Sequence, residues 1–432
     1  MAVSSKPTLF PVLAVNFIGT LGYSIVLPFL VFLVNDFGGN EFIYGIMGSV
    51  YPAFQFFGAP VLGRWSDKYG RKRILFISQA GTLLAWIIFM VALFAPKTVL
   101  FEANGTSIGS FALTLPLIIL FAARALDGIT GGNISVANAY LSDVSTDENR
   151  KANFGKMAMS SSLGFILGPS IAGLLGATEF KEAIPVGAAM LISIVALYVI
   201  WFRLPESKTD LVKPDLSQFK LRKLFATEQK DCYEVEDCPE KGLRAVLKIK
   251  NIPFMLLIYF LTFLGFSFFY VSFPMHALKA LDWSAFDLGI FFSIMSGLLI
   301  LVQGPILSQL SKRVSDEFLI TIGSLLLVAN FLLIGSSNIV FTYGALTFFA
   351  LGNGLMWPSF LSLLSKYAGD EQQGAVQGVA NSVGSLASIL GLLLGGWLFG
   401  IVGNVTFYTA AGLLLLIFLL SFRLFTLKKQ QG

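Results

Sequence analysis

Two ionisable residues, Arg124 and Asp127, interrupt an apolar stretch of the chain in the segment ARALDGITGGNIS. They are three residues apart, so on an α-helix their side chains share one face. A carboxylate beside a guanidinium can bind and release a proton, with an affinity that depends on that neighbour and on access to water. Two interpretations follow: a proton-coupling site in which Asp127 carries the proton, or a buried ion pair that never titrates.

A second charged segment, GRWSDKYGRKRIL at 63–75, places the carboxylate of Asp67 among five cations. Gly63 and Gly70 permit close backbone approach and positive φ, which suits a tight hairpin. Arg71 and Lys72 can hold the segment at an anionic membrane surface. A carboxylate at a membrane edge needs a positive partner, so Asp67 predicts a specific ion pair. The alternative is a generic basic loop.

A third pattern combines glycines and a proline in GKMAMSSSLGFILGPSIAG, from Gly155 to Gly173. Gly164 and Gly168 are four residues apart, a spacing that lets two helices approach closely. Pro169 removes a backbone hydrogen bond and kinks a helix. The segment therefore predicts a bent helix with a close-packed face, whose function could be only packing.

Polar or aromatic residues within the apolar stretches could line a substrate cavity, or they could form hydrogen bonds between helices. The candidates for the substrate cavity are Gln55, Asn133, Asn138, Gln303, Asn330, Asn353, Trp357 and Asn381.

The stretches that carry all these residues are long enough to cross a membrane. Hydrophobic residues make up 55% of the 432-residue chain and charged residues 13%, whereas soluble domains carry about 25% charged residues. About 20 mostly apolar residues span the bilayer core as a helix. We therefore predict an all-α polytopic membrane protein with about twelve spans. The predicted spans are 9–34, 42–62, 74–95, 112–141, 152–177, 184–202, 252–276, 286–310, 318–336, 339–365, 374–402 and 404–425.

The distribution of positive charge predicts how the chain is oriented. Only Lys97, Lys181 and Lys279 fall in predicted outer loops, and almost all of the other Lys and Arg residues fall in inner segments. Such an excess marks the cytoplasmic side. Both termini and the central loop should therefore be cytoplasmic, in a plasma or inner membrane, and the net charge of +5 does not indicate nucleic-acid binding.

A polar central loop at 204–250 separates six predicted spans at 1–203 from six at 251–432. The segments APVLGRWSDKYGRKRIL and GPILSQLSKRVSDEFL align weakly between the halves. Two halves of this kind are a transporter architecture, in which the solute site lies at the midplane. No nucleotide loop, metal cluster or Ser/His/Asp set is visible, so we expect no enzyme, no cofactor and no metal site.

The charged segment at 63–75 resembles the signature loop between spans 2 and 3 of the major facilitator superfamily. The resemblance implies a gating loop in which Asp67 caps the start of span 11 near Gly374, and Arg71 pairs with Asp143. The glycine segment at 155–173 is similar to the family's antiporter motif in span 5, which implies packing against the other half.

The segment containing Arg124 resembles the family's span-4 motif R-x-x-Q-G, with Asp127 where Gln is usual. The order of the motifs looks most like the drug:proton antiporter branch that includes tetracycline exporters. Those exporters carry an Asp in span 1, at the position of Gly19 here, so tetracycline as substrate and the usual coupling route are in doubt.

We therefore expect a secondary active transporter, a monomer in the lipid bilayer, that exports small amphipathic organic compounds in exchange for protons. A metabolite symporter or uniporter of the same fold is the nearest alternative. A non-transporting membrane sensor that uses the 204–250 loop is a third.

Overall fold

A computed structural model shows a chain that is mostly helical, as its composition predicts. The structure describes residues 9–106, 108–131, 133–146, 150–176, 178, 180, 182–207 and 243–429. The predicted central loop at 204–250 lies largely outside these residues.

The helices before the central loop follow the predicted spans closely. They are α1 (Phe10–Ile25), α2 (Leu30–Asp36), α3 (Glu41–Tyr69), α4 (Arg71–Phe94), α5 (Leu115–Thr130), α6 (Asn133–Asp143), α7 (Arg150–Gly176) and α8 (Ala183–Arg203). The first predicted span comprises α1 and α2, and the fourth comprises α5 and α6. The break between α5 and α6 falls in the glycine-rich sequence ITGGN, where glycine lowers helix propensity.

The helices after the central loop begin with a short segment and continue with long spans. They are α9 (Leu243–Lys248), α10 (Ile252–Ala280), α11 (Ala285–Leu301), α12 (Leu307–Leu310), α13 (Asp316–Ile334), α14 (Ile339–Val402) and α15 (Val405–Lys429), with a π-helical segment (Val302–Ile306) between α11 and α12.

Helix α14 contains two membrane spans rather than one straight rod. The side chain of Tyr259 contacts both Trp357, with ring centroids 5.3 Å apart, and Asn381, through a 3.3 Å hydrogen bond. A straight helix would separate residues 357 and 381 by about 36 Å at 1.5 Å per residue. The chain must therefore reverse direction between the spans at Ile339–Ala368 and Val376–Val402.

Among the described residues, eleven helical stretches are long and apolar enough to cross a membrane. The remaining predicted span, 42–62, lies within the 29-residue helix α3, whose ends carry Glu41, Arg64, Asp67 and Lys68. The prediction of about twelve helices is therefore confirmed.

The loop predicted between spans 3 and 4 forms a two-stranded hairpin, β1 (Val99–Thr106) and β2 (Gly109–Thr114). Gly105 and Gly109 have positive φ, which glycine adopts without steric cost. The hairpin precedes the fourth span, which begins at Leu115, three residues after the predicted start at 112.

Buried apolar side chains hold the helices before the central loop together. One cluster joins four fully buried side chains: Val12 of α1, Leu75 of α4, Tyr140 of α6 and Ile200 of α8. Other large apolar side chains, such as Leu191, are exposed on the helix surfaces. That pattern suits a protein whose outer surface faces lipid.

The chain forms two compact units. Unit 1 comprises Met1–Gly38, Val50–Glu102 and Ala112–Lys230; unit 2 comprises Gly39–Ser49, Ala103–Phe111 and Asp231–Gly432.

Candidate functional site

In unit 1, α5 carries Arg124 and Asp127 on one face, as their spacing predicts. The Arg124 Nη1 lies 3.5 Å from the Asp127 Oδ2, and the two side chains are only 4% and 12% exposed. Thr82, from α4, borders the same small cavity as Asp127. A buried carboxylate is tolerated here because the neighbouring cation compensates its charge.

Two tyrosine rings flank the guanidinium of Arg124. Its Cζ lies 4.9 Å from the ring centroid of Tyr51 and 5.8 Å from that of Tyr23. Gln55 donates from Nε2 to the Tyr51 hydroxyl at 3.2 Å and to the Gly131 carbonyl at 2.8 Å. Cation–π attraction and these hydrogen bonds hold Arg124 in place beside Asp127.

A small cavity lies beside the Asp127 carboxylate and has room for about one water molecule. The residues that line it are Ile18, Gly19, Gly22, Tyr23, Tyr51, Gln79, Thr82, Asp127, Gly131 and Ser193. Gln79 is 1% exposed, and its Oε1 has no hydrogen-bond partner among the described residues. Gly19 therefore borders the same cavity as Asp127.

The sequence did not identify Tyr23, Tyr51, Gln79 or Thr82 as parts of this site. Each sits in a span of strongly apolar sequence, and single polar residues there also serve helix packing. One usable signal was the four-residue spacing of Tyr51 and Gln55, which places them on the same face of α3.

The charged segment at 63–75 forms an ion-pair network centred on Arg71, which is 5% exposed. Its Nη2 lies 2.6 Å from Asp67 Oδ1, its Nε 3.0 Å from Asp143 Oδ2, and its Nη1 2.6 Å from the Ser66 hydroxyl. The pairing between Arg71 and Asp143 is thus present. A guanidinium suits this position because its fixed fork of donors can serve three acceptors at once.

Glu206 completes this network from the far end of α8. Its two carboxylate oxygens accept from the backbone amides of Arg71, at 2.8 Å, and Lys72, at 3.1 Å. These are the first amides of α4, which lack partners within the helix. Glu206, in the segment RLPES at 203–207, therefore supplies an N-terminal cap, which the sequence analysis did not predict.

The remaining gating-loop residues occupy a sharp turn. Gly70 has φ +101° and separates α3 from α4, so it needs the conformational freedom of glycine. Gly63 has open space where a side chain would lie. The structure does not describe the side chains near Gly374, at the start of span 11. The capping of this span by Asp67 therefore stays a prediction.

Gly164 and Gly168 of the glycine segment pack against α1, and the predicted packing of this segment against the other half stays a prediction. A Cβ on Gly164 would lie 2.8 Å from the Leu21 nitrogen, and one on Gly168 would lie 2.0 Å from the Ser24 hydroxyl oxygen. The Ser24 hydroxyl also donates to the Gly164 carbonyl at 2.9 Å. The small residues therefore serve close packing within unit 1.

The other motif residues give less information. Pro169 lies inside the continuous helix α7, and Gly173 is buried. The surroundings of Gly155 and Asn133 lie outside the described part of the structure. Asn138 is half-buried on α6.

In unit 2, two of the predicted cavity residues meet at Tyr259. Trp357 contacts its ring, and Asn381 accepts a hydrogen bond from its hydroxyl. Gln303 lies in the π-helical segment and Asn353 on α14, and both are half-buried. Asn330 is fully buried, and its amide has no hydrogen-bond partner among the described residues. The structure thus brings Trp357 and Asn381 together at one place.

Within the described part of the chain, no group of three His, Cys, Asp or Glu side chains could hold a metal ion.

Comparison with known proteins decides the family. A sequence model of the Major Facilitator Superfamily matches residues 12–392 and 255–431. The chain belongs to the Major Facilitator Superfamily. The resemblance drawn from its motifs is therefore confirmed, and the protein is a secondary transporter and an integral, multi-pass membrane protein that handles small molecules.

Similar superfamily members include proteins named for drug resistance. The class D tetracycline resistance protein of Salmonella ordonez is 24% identical over 91% of this chain and 90% of its own length. Multidrug resistance protein 1 of Bacillus subtilis (strain 168) is 26% identical over 91% of this chain and 90% of its own. These relatives are transporters, not enzymes.

Solved structures of superfamily transporters share the fold. The human organic anion transporter MFSD10 aligns with a TM-score of 0.65 and 20% identity over 96% of this chain and 98% of that one. A D-xylose–proton symporter aligns with a TM-score of 0.71 and 12% identity over 96% of each chain. The predicted superfamily fold is thereby confirmed.

Proposed function

We propose that this transporter exports small amphipathic organic compounds in exchange for protons, and that Asp127 carries the proton. The position of Asp127 supports the proposal. Its carboxylate is buried within a membrane span, pairs with Arg124 and borders a cavity that can hold water. Ionisable residues inside membrane spans commonly mark ion pathways. The names of the tetracycline and multidrug resistance relatives support export of organic compounds.

Protonation would act through the contacts of Asp127. A neutral carboxyl attracts Arg124 less strongly, so the guanidinium is held more by Tyr23 and Tyr51 and is freer to change partners. A proton shifts the balance between two conformations only if it binds one of them more tightly. The contact with Arg124 would supply such a difference in proton affinity. A conformation that holds the guanidinium against Asp127 favours the charged carboxylate, and one that separates them favours the protonated form.

The network around Arg71 would stabilise one of these conformations at the inner face. Arg71 ties the end of α3 to the end of α6 through Asp67 and Asp143, and Glu206 adds the start of α4. A movement that separates these helix ends must break charge-assisted hydrogen bonds, which are stronger than neutral ones. The proposed gating loop therefore comprises Gly63, Asp67, Gly70, Arg71, Lys72 and Asp143.

In the proposed arrangement the protein lies in a plasma or inner membrane as a monomer. Both termini are in the cytoplasm. The excess of Lys and Arg in the inner segments supports that orientation. Cysteine labelling of residues 64–73 from the outside tests it: no labelling is expected in intact cells.

Transport in proteoliposomes tests the function. Purified protein is reconstituted, a pH gradient is imposed, and movement of a panel of cationic, neutral and anionic organic compounds is followed. We expect uphill movement of some compounds against the direction of proton flow. Accumulation in the same direction as protons would instead support the symporter alternative, and movement without a gradient effect would support a uniporter.

The matched variants are Asp127→Asn and Asp36→Asn. Asp36 pairs with Lys97 outside the apolar core and is 61% exposed, so it controls for the loss of a carboxylate alone. We expect gradient-driven transport to vanish in Asp127→Asn and to persist in Asp36→Asn. Full coupling in Asp127→Asn, with normal membrane insertion, would remove Asp127 from the mechanism.

A further inference from the structure

Four aromatic rings from two helices form a cluster in unit 2. Tyr259 and Phe263 of α10 stack with centroids 4.9 Å apart and an interplanar angle of 22°. Trp357 of α14 lies 5.3 Å from each of these rings, and Phe360, one turn further along α14, lies 6.2 Å from Trp357. Tyr259 and Phe360 are buried, whereas Phe263 and Trp357 are only half-buried. The cluster therefore has a closed side and an accessible side.

The accessible side faces water rather than lipid, because polar groups border it. Asn381 and Ser382 are exposed on the second span of α14, five and six residues after that span begins at Val376. An exposed amide in contact with hydrocarbon would leave its polar atoms unsatisfied, so polar side chains in spans turn to the bundle interior or to a water-filled cavity. Since Asn381 accepts from the Tyr259 hydroxyl at 3.3 Å, the rings lie beside this polar edge.

Two hydrogen-bond donors remain available at this edge. Neither the Asn381 amide Nδ2 nor the Trp357 indole Nε1 has an acceptor among the residues that the structure describes, and neither is sealed from solvent. An indole N–H and an amide Nδ2 can only donate. These two groups are therefore available to acceptors on a ligand, which would replace water.

This cluster differs from the rings of unit 1 in whether a cation lies over the ring faces. In unit 1, Arg124 lies over Tyr51 and Tyr23 and occupies their faces. Over the four rings of unit 2, by contrast, no cation lies among the described side chains. Their accessible faces are thus open to stacking with a flat ligand, for which offset or edge-to-face arrangements are favourable.

We propose that Trp357, Phe263, Tyr259 and Asn381 form a substrate subsite for planar aromatic compounds that carry hydrogen-bond acceptors, such as ring carbonyls, at one edge. The rings supply stacking faces, and the Asn381 amide and Trp357 indole donate to the acceptors. This inference rests on the proposed transport function and adds the class of substrate to it. A saturated compound would lose the stacking, and an aromatic hydrocarbon would lose the hydrogen bonds.

Equilibrium binding to the purified full-length protein tests the subsite without any gradient. The probes are three planar ketones (acridone, flavone and a quinolone), together with a saturated ketone and tetraethylammonium. We expect the planar ketones to bind and the saturated ketone to bind at least fivefold more weakly. Binding of none of the planar ketones, or equally tight binding of tetraethylammonium at this site, would overturn the proposal.

Three substitutions assign the binding to these residues. Trp357→Leu and Asn381→Leu should each weaken binding of the planar ketones at least fivefold, and Trp357→Phe, which keeps a ring but loses the donor, should have a smaller effect. Trp397→Leu is the matched control, since Trp397 lies on the same helix and is 41% exposed. Affinities within twofold of the unmodified protein in both Trp357→Phe and Asn381→Leu would overturn the proposal, even if Trp357→Leu fails to fold.

The outcome separates this inference from the transport proposal. Planar ketones that bind through Trp357 without any proton-driven movement would contradict proton exchange and leave the subsite standing. Proton-driven movement of compounds that is unaffected by Asn381→Leu and Trp357→Phe would support exchange and contradict the subsite.

Discussion

The two units use aromatic rings in opposite ways. In unit 1 the rings of Tyr23 and Tyr51 flank a cation, Arg124, which in turn pairs with a buried carboxylate. In unit 2 the rings around Trp357 have no cation over them among the described residues and border the exposed amide of Asn381. The difference indicates a division of labour: fixed charge, which can respond to a proton, lies in unit 1, and uncharged surface, which can adapt to a ligand, lies in unit 2.

The largest expected effect comes from removing the cation of unit 1. In Arg124→Gln, Asp127 loses its compensating charge, so proton-driven transport should fall roughly tenfold or more, the usual scale of coupling between sites. Binding of planar ketones in unit 2 should change little. Transport rates and equilibrium binding of the same variant check this, with Arg64→Gln, in the last two turns of α3, as the control. A comparable loss of both activities would contradict the division of labour.

Close packing in unit 1 predicts the next largest effect. In Gly168→Ala, the added methyl group would meet Ser24 and the Ile25 backbone nitrogen, at 2.9 Å, and such overpacking costs about 1–3 kcal/mol. Gly297→Ala of unit 2 is the control, because it has open space around it and alanine favours helices by up to about 1 kcal/mol. Thermal unfolding of the two variants measures the difference.

Equal melting temperatures of Gly168→Ala and Gly297→Ala would show that α1 and α7 separate easily. The packing interpretation of the antiporter motif would then be wrong.

Ion pairs at the helix ends also differ between the units. Arg71 is buried and serves three acceptors, whereas Lys366 of unit 2 is 67% exposed and pairs with Asp316 at 2.5 Å. Arg71→Gln should lower the free energy of unfolding by about 2 kcal/mol, since hydrogen bonds to charged groups are worth about 1.5–3 kcal/mol. Lys366→Gln should cost at most about 1 kcal/mol. Denaturation of both variants in the same detergent compares them, and a larger loss in Lys366→Gln would contradict the asymmetry.

The smallest expected effect concerns the cap of α4. Glu206→Gln keeps one acceptor for the Arg71 and Lys72 amides but removes the negative charge from the helix N-terminus, which is worth about 0.3–1 kcal/mol. The melting temperature should therefore fall slightly, and less so at high salt. Glu102→Gln, on the exposed hairpin, should leave it unchanged. A salt-independent effect would show that charge is not the cause.

Much of this picture could be predicted from the sequence because apolar length and charge spacing are local signals. They gave the spans, the shared face of Arg124 and Asp127, and the charged turn at 63–75. The Arg71–Asp143 pair was expected only from the family resemblance, because local signals do not report partners that come from distant segments. Tyr23, Tyr51 and Thr82 reach Asp127 from other helices, and no local pattern reports which face of each helix turns inward.

The packing of Gly164 against α1 escaped prediction for the same reason. A four-residue glycine spacing predicts that another helix approaches closely, but the spacing does not predict which helix it is. The hairpin at 99–114 was missed because its short strands lack the alternation of apolar and polar residues that marks a half-buried strand. Glu206 was also missed, since its partners lie 134 and 135 residues away along the chain.

Substrate-induced proton release tests the central claim most directly. Acridone is added to the purified protein in weak buffer, and released protons are measured with a pH indicator. If a ligand in unit 2 and a proton on Asp127 exclude one another, the unmodified protein should release up to about one proton, by linkage. Asp127→Asn should bind acridone and release none, and Asn381→Leu should release protons only at higher acridone concentrations. Equal proton release from Asp127→Asn and the unmodified protein would contradict the account.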